Sequence, residues 1–154
     1  MPPAMNTPSF PNSGASLGLL FRQLRDAMWT RMKVELAKAG HDLTFSQYVT
    51  LEKLAIGSTG VTDLARAAEL NPGAMTRLLD RLEARGLVAR TADPTDRRAL
   101  NIDLTDAGQA IWQDINKCGE RVRELAMAGM SDEERSVITA LLERARDNLN
   151  STEP

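Results

Sequence analysis

Apolar residues in the first part of the chain recur at spacings of three and four residues, as they do on one face of an α-helix. The clearest run covers residues 17–40 and includes Leu17, Leu20 and Leu24. A run of this length exceeds the mean globular helix of about 11–12 residues. The pattern therefore predicts a long first helix that ends near Gly40.

Start and stop signals divide the following sequence into three more helices. The letters TFSQ at 44–47 have the form of a capping box and predict the start of a second helix. A short third helix follows Gly60, and Asn71 and Pro72 supply the N-cap and the first residue of a fourth. Gly86 is suited to end the fourth helix, because glycine adopts the left-handed conformation without steric penalty.

After the fourth helix the pattern changes from a helical period to alternation. Residues 87–91 and 100–104 predict the two strands of a β-hairpin with one buried face, joined by a long polar loop. Thr105 then caps a long fifth helix, and the letters SDEE at 131–134 open a final helix as a second capping box. Short helices followed by a hairpin are the order expected of a winged helix-turn-helix.

The order of elements predicts a mainly α fold with a small β-hairpin wing, built as one domain over residues 17–149. Residues 44–104 form the predicted winged helix-turn-helix, and long terminal helices occupy 17–40 and 105–149. These terminal helices cannot bury all their apolar residues within so small a domain. We therefore expect them to form the interface of a symmetric homodimer.

Charge adds a local constraint to this interpretation. The formal net charge is −2, so the whole chain does not indicate nucleic-acid binding. Residues 60–105 carry seven basic and seven acidic side chains, whereas 106–154 carry six basic and ten acidic ones. Any basic surface must therefore be local.

The termini and the cysteine content indicate a cytoplasmic protein. Residues 1–16 are rich in Pro, Ser, Asn and Gly and predict a disordered tail rather than a signal peptide, and 150–154 are expected to fray. Cys118 is the single cysteine, which suits a reducing compartment. No apolar run is long enough to span a bilayer, so we expect no membrane partner.

The sequence offers no catalytic constellation. Its one histidine, His41, and its one cysteine, Cys118, lie far apart along the chain and indicate no catalytic pair. Neither a glycine-rich phosphate loop nor a cluster with metal-ligand spacing is present. We therefore expect no enzyme activity, no metal and no cofactor.

Four segments resemble the MarR family of bacterial transcriptional regulators. They are VTDLA at 61–65, MTRLLDRLEARGLV at 75–88, DPTDRR at 93–98 and DLTDAG at 103–108. The resemblance extends over about residues 17–149. It implies a triangular homodimer in which paired N- and C-terminal helices form the interface and each subunit carries one winged helix-turn-helix.

The fourth helix has an outward face that suits a DNA groove. Helical geometry turns Met75 and Leu78 inward and Arg77 outward, with small residues near the N-terminus. Recognition helices contact bases with their N-terminal half, and arginine on guanine is the commonest specific contact. The alternative is a solvated face on which Arg77, Asp80 and Arg81 exchange surface ion pairs. The predicted recognition residues are Gly73, Ala74, Thr76, Arg77 and Arg81.

The loop of the hairpin supplies the second predicted contact with DNA. In the family that this chain resembles, the arginine matching Arg98 enters the minor groove and the aspartate matching Asp96 orients it. A carboxylate can hold a guanidinium with two parallel hydrogen bonds, and a narrow minor groove attracts arginine. Arg97 adds a second cation near the backbone. The alternative is an ordinary polar loop with a surface ion pair.

Three further residues are candidates for phosphate contacts. Ser46 and Thr62 lie near predicted helix N-termini, where amides and hydroxyls suit phosphate, and Arg85 lies at the far end of the fourth helix. For Ser46 and Thr62, helix capping or simple exposure is an equally good interpretation.

The resemblance also implies a small-molecule site, because MarR-like proteins bind small aromatic or phenolic anions between the dimerisation helices and the DNA-binding part. Arginine or histidine would meet a carboxylate, and the aromatic side chains would stack on a ring. The alternative for each aromatic residue is plain core packing. The candidate pocket residues are Arg25, Met28, Trp29, His41, Phe45 and Tyr48.

Together these patterns predict a sequence-specific double-stranded DNA-binding regulator that acts on a pseudo-palindromic operator. The resemblance favours a repressor that a small aromatic or phenolic effector releases. The alternative function is a winged helix used for protein contacts without specific DNA binding. Thiol-based sensing is disfavoured, because a cysteine such as Cys118 within a helix usually behaves as a small buried hydrophobe.

Overall fold

The computed structural model describes residues 14–151, and within them the predicted winged-helix fold is confirmed. The polypeptide forms helices at both ends and a small sheet between them. In chain order the elements are α1 (Gly14–Lys38), α2 (Phe45–Ile56), β1 (Thr59–Gly60), α3 (Val61–Ala67), α4 (Pro72–Ala84), β2 (Val88–Ala92), β3 (Leu100–Leu104), α5 (Asp106–Ala126) and α6 (Asp132–Asn150).

Helix α1 begins earlier than the sequence pattern predicts. It starts at Gly14, so residues 14–16 are helical and the prediction of a disordered tail over 1–16 is wrong for these three. No proline follows Pro11 in this part of the chain, so nothing prevents the helix from extending toward the N-terminus. The rest of that predicted tail, and the last three residues of the predicted C-terminal one, lie outside the described residues.

The predicted helix starts are confirmed by hydrogen bonds at the caps. Thr44 and Gln47 form the capping box of α2, and Ser131 forms the equivalent box of α6. The Asn71 side chain accepts a hydrogen bond from the Ala74 amide at 2.8 Å. Each of these bonds satisfies a backbone donor that the first turn of a helix leaves unpaired.

The wing contains one more strand than the sequence predicts. The sheet has the order β1-β3-β2 and is antiparallel throughout. In the added strand Thr59 pairs with Ile102 and Gly60 with Asn101. Two residues are too few to show alternation, so the sequence pattern cannot reveal this strand. The pairing fixes the start of α3 against the middle of strand β3.

Gly108 marks the point at which α5 lies closest to the wing. A Cβ atom there would lie 2.1 Å from the carbonyl oxygen of Leu87, far inside contact distance. Only glycine therefore allows the first turn of α5 to pack against the start of the hairpin. This packing joins the winged helix-turn-helix to α5, the longer of the two C-terminal helices.

Apolar side chains remain exposed along the two terminal helices. On α1, Leu17 is 56% exposed and Leu20 is 58% exposed, and on α6 Leu141 is 52% exposed. Helix α6 buries no residue within the subunit. The core of the chain is formed by Met32 and Leu36 of α1 together with aliphatic residues of α2–α5 and the sheet, among which Leu51, Leu64, Leu79, Leu82 and Ile102 are fully buried. Within residues 14–151, every helix is too short or too polar to cross a membrane.

Candidate nucleic-acid interface and ligand cavity

Helix α4 presents the face that its sequence predicts. Met75 and Leu79 are fully buried against the core, whereas Gly73, Thr76 and Arg77 are exposed. Ala74 is half-buried and Arg81 is exposed one turn further along. The Thr76 hydroxyl donates a hydrogen bond to the Pro72 carbonyl oxygen at 2.9 Å, so its oxygen remains free to accept one.

Arg90 controls the charge of this face, although no sequence pattern predicts that role. From strand β2 its Nη2 atom lies 2.7 Å from Asp80 Oδ1, and its Nε atom lies 3.1 Å from Glu83 Oε2. The Asp80 carboxylate is therefore neutralised by the guanidinium of Arg90 on the sheet, and not by an arginine of its own helix. Within residues 14–151, Arg77 and Arg81 form no ion pair, which disfavours the alternative that their charges are used within the helix.

The wing loop is shaped by carboxylates that accept backbone hydrogen bonds. Asp93 accepts from the amide and the hydroxyl of Thr95, and these bonds hold the pKa of its carboxyl below its ordinary value. Asp96 Oδ1 accepts from the backbone amide of Arg98 at 3.0 Å. Among the described residues no ion pair joins Asp96 to the Arg98 guanidinium, so here the carboxylate stabilises the turn through the Arg98 backbone and not through its side chain.

The two wing arginines consequently point their charge outward. Arg97 and Arg98 are exposed, and neither forms an ion pair with any described residue. Arg98 lines a cleft together with Asp96 and with Thr62 of α3. The structure thus brings Thr62, a candidate phosphate contact, next to the wing.

Ser46 and Arg85, the other two candidates for phosphate contacts, have different surroundings. Ser46 is half-buried, and its hydroxyl donates to the Ala68 carbonyl oxygen at 3.2 Å, so its only proton is used within the protein. Arg85 follows the last turn of α4 and is exposed. We therefore retain Arg85 and Thr62 as candidates and omit Ser46.

A cavity of about 310 Å³ lies between α1, α2 and α5. It contains five of the six predicted pocket residues. The others that line it, Met32, Gly119 and Val122, have no distinguishing sequence signal. The residues lining the cavity are Arg25, Met28, Trp29, Met32, Phe45, Tyr48, Gly119 and Val122.

His41 does not belong to this cavity, and its prediction as a pocket residue is wrong. The left-handed turn at Gly40, with φ of 81°, carries the chain away from the aromatic residues. The His41 ring instead forms a hydrogen bond with the Asp114 carboxylate of α5, and this contact lowers the pKa of Asp114. His41 lines a separate surface depression beside Lys33.

Aromatic rings pack against each other along one wall of the cavity. The Trp29 ring centroid lies 5.3 Å from that of Phe45, edge to face, and 5.7 Å from that of Tyr48. The Tyr48 ring centroid also lies 5.9 Å from that of Trp112, a residue that the sequence pattern does not mark as part of the pocket. Burial and the nearby Glu52 carboxylate raise the pKa of Tyr48 to about 12, so its hydroxyl stays protonated near neutral pH.

Arg25 supplies the positive charge of the cavity. It is the only charged residue among the described residues that line it. Its guanidinium carbon lies 5.3 Å from the Phe45 ring centroid, and its two terminal nitrogens each lie 3.2 Å from a Glu69 oxygen. An apolar aromatic wall with one cation suits a small aromatic anion.

Cys118 is fully buried in α5, as expected of a small apolar side chain. Its sulfur lies 3.2 Å from Arg121 Nη2, yet burial raises the pKa of the thiol above its ordinary value. A thiol in this state reacts slowly with oxidants, because the thiolate is the nucleophilic form.

Helices α2, α3 and α4 followed by the β2–β3 hairpin define a winged helix-turn-helix, and the unpaired arginines on α4 and in the hairpin loop suit this fold to DNA binding. The model of the MarR family matches residues 43–100. The HTH-type transcriptional repressor NicR of Pseudomonas putida is 33% identical over 107 residues, which are 69% of this chain and 68% of that protein. This chain belongs to the MarR family and is a DNA-binding transcriptional regulator.

Two solved structures extend the similarity to nearly the whole chain. BpsR of Bordetella bronchiseptica, whose DNA binding is regulated by 6-hydroxynicotinic acid, has a TM-score of 0.70 and 26% identity, covering 90% of this chain and 99% of its own. NadR in complex with 4-hydroxyphenylacetate has a TM-score of 0.71 and 26% identity, covering 90% of this chain and 97% of its own.

Proposed function

We propose that the protein is a repressor that binds a pseudo-palindromic operator as a homodimer and is released by a small aromatic carboxylate. The observation that carries the DNA-binding part is the unpaired state of Arg77 and Arg81 on the exposed face of α4 and of Arg98 in the wing loop. Cations that have no partner within the protein remain free for phosphates and base edges.

The proposed docking places the N-terminal half of α4 in the major groove. Gly73 and Ala74 allow close approach, Thr76 accepts a hydrogen bond from a base, and Arg77 binds guanine. Arg81 and Arg85 bind phosphates further along the helix, and the wing carries Arg97 and Arg98 to the adjacent minor groove. Thr62 donates to a phosphate beside the wing.

The proposed dimer covers the apolar faces of α1 and α6. Leu17 and Leu20 on α1 and Leu141 on α6 are each more than half exposed in the single subunit. Exposed apolar faces of this extent typically mark an association surface. A twofold dimer would present two recognition helices about one helical turn of DNA apart, which matches a pseudo-palindromic site.

The proposed effector occupies the cavity beside Trp29, with its carboxylate at Arg25 and its ring on the aromatic wall. The ligands named for the similar structures, 6-hydroxynicotinic acid and 4-hydroxyphenylacetate, are both aromatic rings that carry a carboxyl and a hydroxyl group. Such a ligand would release DNA by favouring a dimer in which the two recognition helices have the wrong spacing. The ligand can shift the equilibrium in this way only if it binds the released form of the dimer more tightly than the DNA-binding form.

Fluorescence anisotropy with labelled DNA from upstream of the gene tests this proposal. We expect binding that weakens steeply with salt, in proportion to the phosphates neutralised, and release by an aromatic carboxylate. Trp29→Leu should blunt the response to the carboxylate more than it weakens DNA binding. Binding that is absent at low salt would favour the alternative, a winged helix used for protein contacts.

A further inference from the structure

We propose that Arg25 and Glu69 form a release link between the aromatic cavity and the helix-turn-helix, and that a ligand carboxylate breaks this link by taking over the Arg25 guanidinium. The inference rests on the proposed function, since it concerns how an effector in that cavity acts on DNA binding. It assigns a regulatory role to Glu69, which does not line the cavity.

The geometry at Arg25 lets only one carboxylate use the guanidinium edge that Glu69 occupies. Nη1 of Arg25 lies 3.2 Å from Glu69 Oε1, and Nη2 lies 3.2 Å from Glu69 Oε2. This is the two-bond arrangement in which a carboxylate occupies one whole edge of a guanidinium. A ligand carboxylate on the same edge must therefore displace Glu69. A second negative charge near Arg25 would also repel the Glu69 carboxylate.

Glu69 lies at a sensitive point of the DNA-binding unit. It is in the turn between α3 and α4, two residues before the Asn71 N-cap of the recognition helix. Its φ of 56° is in the left-handed region, which residues other than glycine rarely adopt. Among the described residues, the pair with Arg25 is the only ion pair that joins α1 to this turn. Loss of the pair would free the turn, and with it the start of α4.

The same geometry predicts which ligands act. An aromatic carboxylate competes with Glu69, whereas an uncharged ring of the same shape can occupy the apolar wall and leave Arg25 bound to Glu69. We therefore expect 4-hydroxyphenylacetate to release DNA and 4-hydroxyphenylacetamide to bind in the cavity without releasing it. Quenching of tryptophan fluorescence reports occupancy, because Trp29 lines the cavity.

The decisive variant is Glu69→Gln, which keeps the shape of the side chain and removes its charge. Without the competing carboxylate, an aromatic carboxylate should bind the free protein about two- to fivefold more tightly, the range expected for an exposed ion pair. The factor by which the ligand weakens DNA binding should fall by a similar amount. Because this coupling is reciprocal, the ratio of ligand affinities with and without DNA must fall equally.

Two further variants separate the link from folding and from net charge. Glu69→Gly also removes the carboxylate, but it suits the left-handed backbone, so it should lose coupling without losing thermal stability. Asp42→Asn removes one negative charge from an exposed loop position and should behave as the unmodified protein.

The panel of probes is benzoate, salicylate, 6-hydroxynicotinate and 4-hydroxyphenylacetate. If one of them releases DNA from the unmodified protein and equally from Glu69→Gln and Glu69→Gly, the release link is wrong while the proposed effector site stands. Release by 4-hydroxyphenylacetamide as strong as that by the acid would also overturn the link. If no carboxylate in the panel quenches Trp29 or releases DNA, the effector proposal fails and the link fails with it.

Discussion

Arg90 shows how one side chain determines the charge that a recognition helix presents. It contacts both Asp80 and Glu83, and its own side chain is only 24% exposed. These two carboxylates would otherwise oppose the approach of phosphates to α4. Arg77 remains unpaired because its nearest helical acid is already bound from the sheet.

Replacing Arg90 with leucine should therefore weaken DNA binding. Two exposed carboxylates without a partner would face the DNA, and we expect a loss on the order of 1 kcal/mol in binding free energy, measured by anisotropy. Adding Asp80→Asn and Glu83→Gln to the same protein should restore most of the loss. Failure of this triple variant to recover would show that Arg90 contributes through packing and not through charge.

Arg77→Ala should weaken binding to the cognate site by about 1–3 kcal/mol and relax the preference for its base. The reason is that a guanidinium on guanine makes two directed hydrogen bonds. Titration of cognate and scrambled duplexes measures both effects. Arg146→Ala is the matched control, because Arg146 is an exposed α6 arginine bonded to its neighbour Asp147. Equal losses on the two duplexes would mean that Arg77 contacts only phosphate.

At the scale of elements, Gly108 marks a close approach between α5 and the start of the hairpin. Gly108→Ala should lower the free energy of unfolding by about 1–3 kcal/mol, because its methyl group would meet the Leu87 carbonyl oxygen. Urea unfolding followed by circular dichroism measures the change. Gly57→Ala is the control, since a Cβ atom at that extended position meets nothing within 4 Å. Similar losses in both variants would contradict the close approach.

An ion pair also joins α1 to α5. The nearly buried Glu35 carboxylate binds Arg121 Nε at 3.0 Å and Lys38 Nζ at 3.2 Å. Hydrogen bonds from Arg121 and then Lys38 lower the pKa of Glu35 in the folded protein. The resulting stabilisation is therefore present above the unfolded pKa, near 4.5, and is lost as the pH falls toward the lower folded value.

Glu35→Gln should consequently be less stable than the unmodified protein at neutral pH and should lose less stability below pH 4.5. Urea midpoints measured at intervals from pH 7 to acid would show the two curves converging. The Glu120→Gln variant is a useful control, since Glu120 is an exposed α5 carboxylate that forms no ion pair among the described residues. Parallel curves for Glu35→Gln and the unmodified protein would contradict this role of Glu35.

The sequence predicts contacts between residues that are close together in the chain. It does not predict contacts between residues that are far apart in the chain. The caps at Thr44, Asn71 and Ser131 are recognisable because donor and acceptor lie three residues apart. Strand β1 is too short to show a pattern, and it exists only because β3 pairs with it. The contact of His41 is equally hidden from the sequence, since its partner Asp114 lies on a helix that is distant in the chain.

The candidate site is likewise predictable from the sequence only where its residues follow a short-range spacing. The outward face of α4 and five of the cavity residues follow from helical spacing and from the family resemblance. The pairing of Arg90 with Asp80 and of Arg25 with Glu69 depends on how a strand and a helix pack in three dimensions. No spacing rule connects residues that are 44 positions apart, as Arg25 and Glu69 are.

At the scale of the whole molecule, the exposed apolar faces of α1 and α6 predict association. We expect sedimentation equilibrium to give twice the mass of the chain, because the two faces would be covered by a second copy. Leu141→Glu should shift the protein toward monomer and weaken operator binding, since one subunit reaches only one half-site. Ile56→Glu, at an apolar residue that is 85% exposed outside these faces, should leave the dimer intact.

Protection of guanine N7 from dimethyl sulfate on the upstream DNA tests the central claim most directly, because this atom faces the major groove and is a partner of arginine. We predict two sets of protected guanines about one helical turn apart, both lost in Arg77→Ala. An unchanged pattern in Arg77→Ala, or no protection under conditions where the protein binds, would contradict the placement of α4 in the major groove.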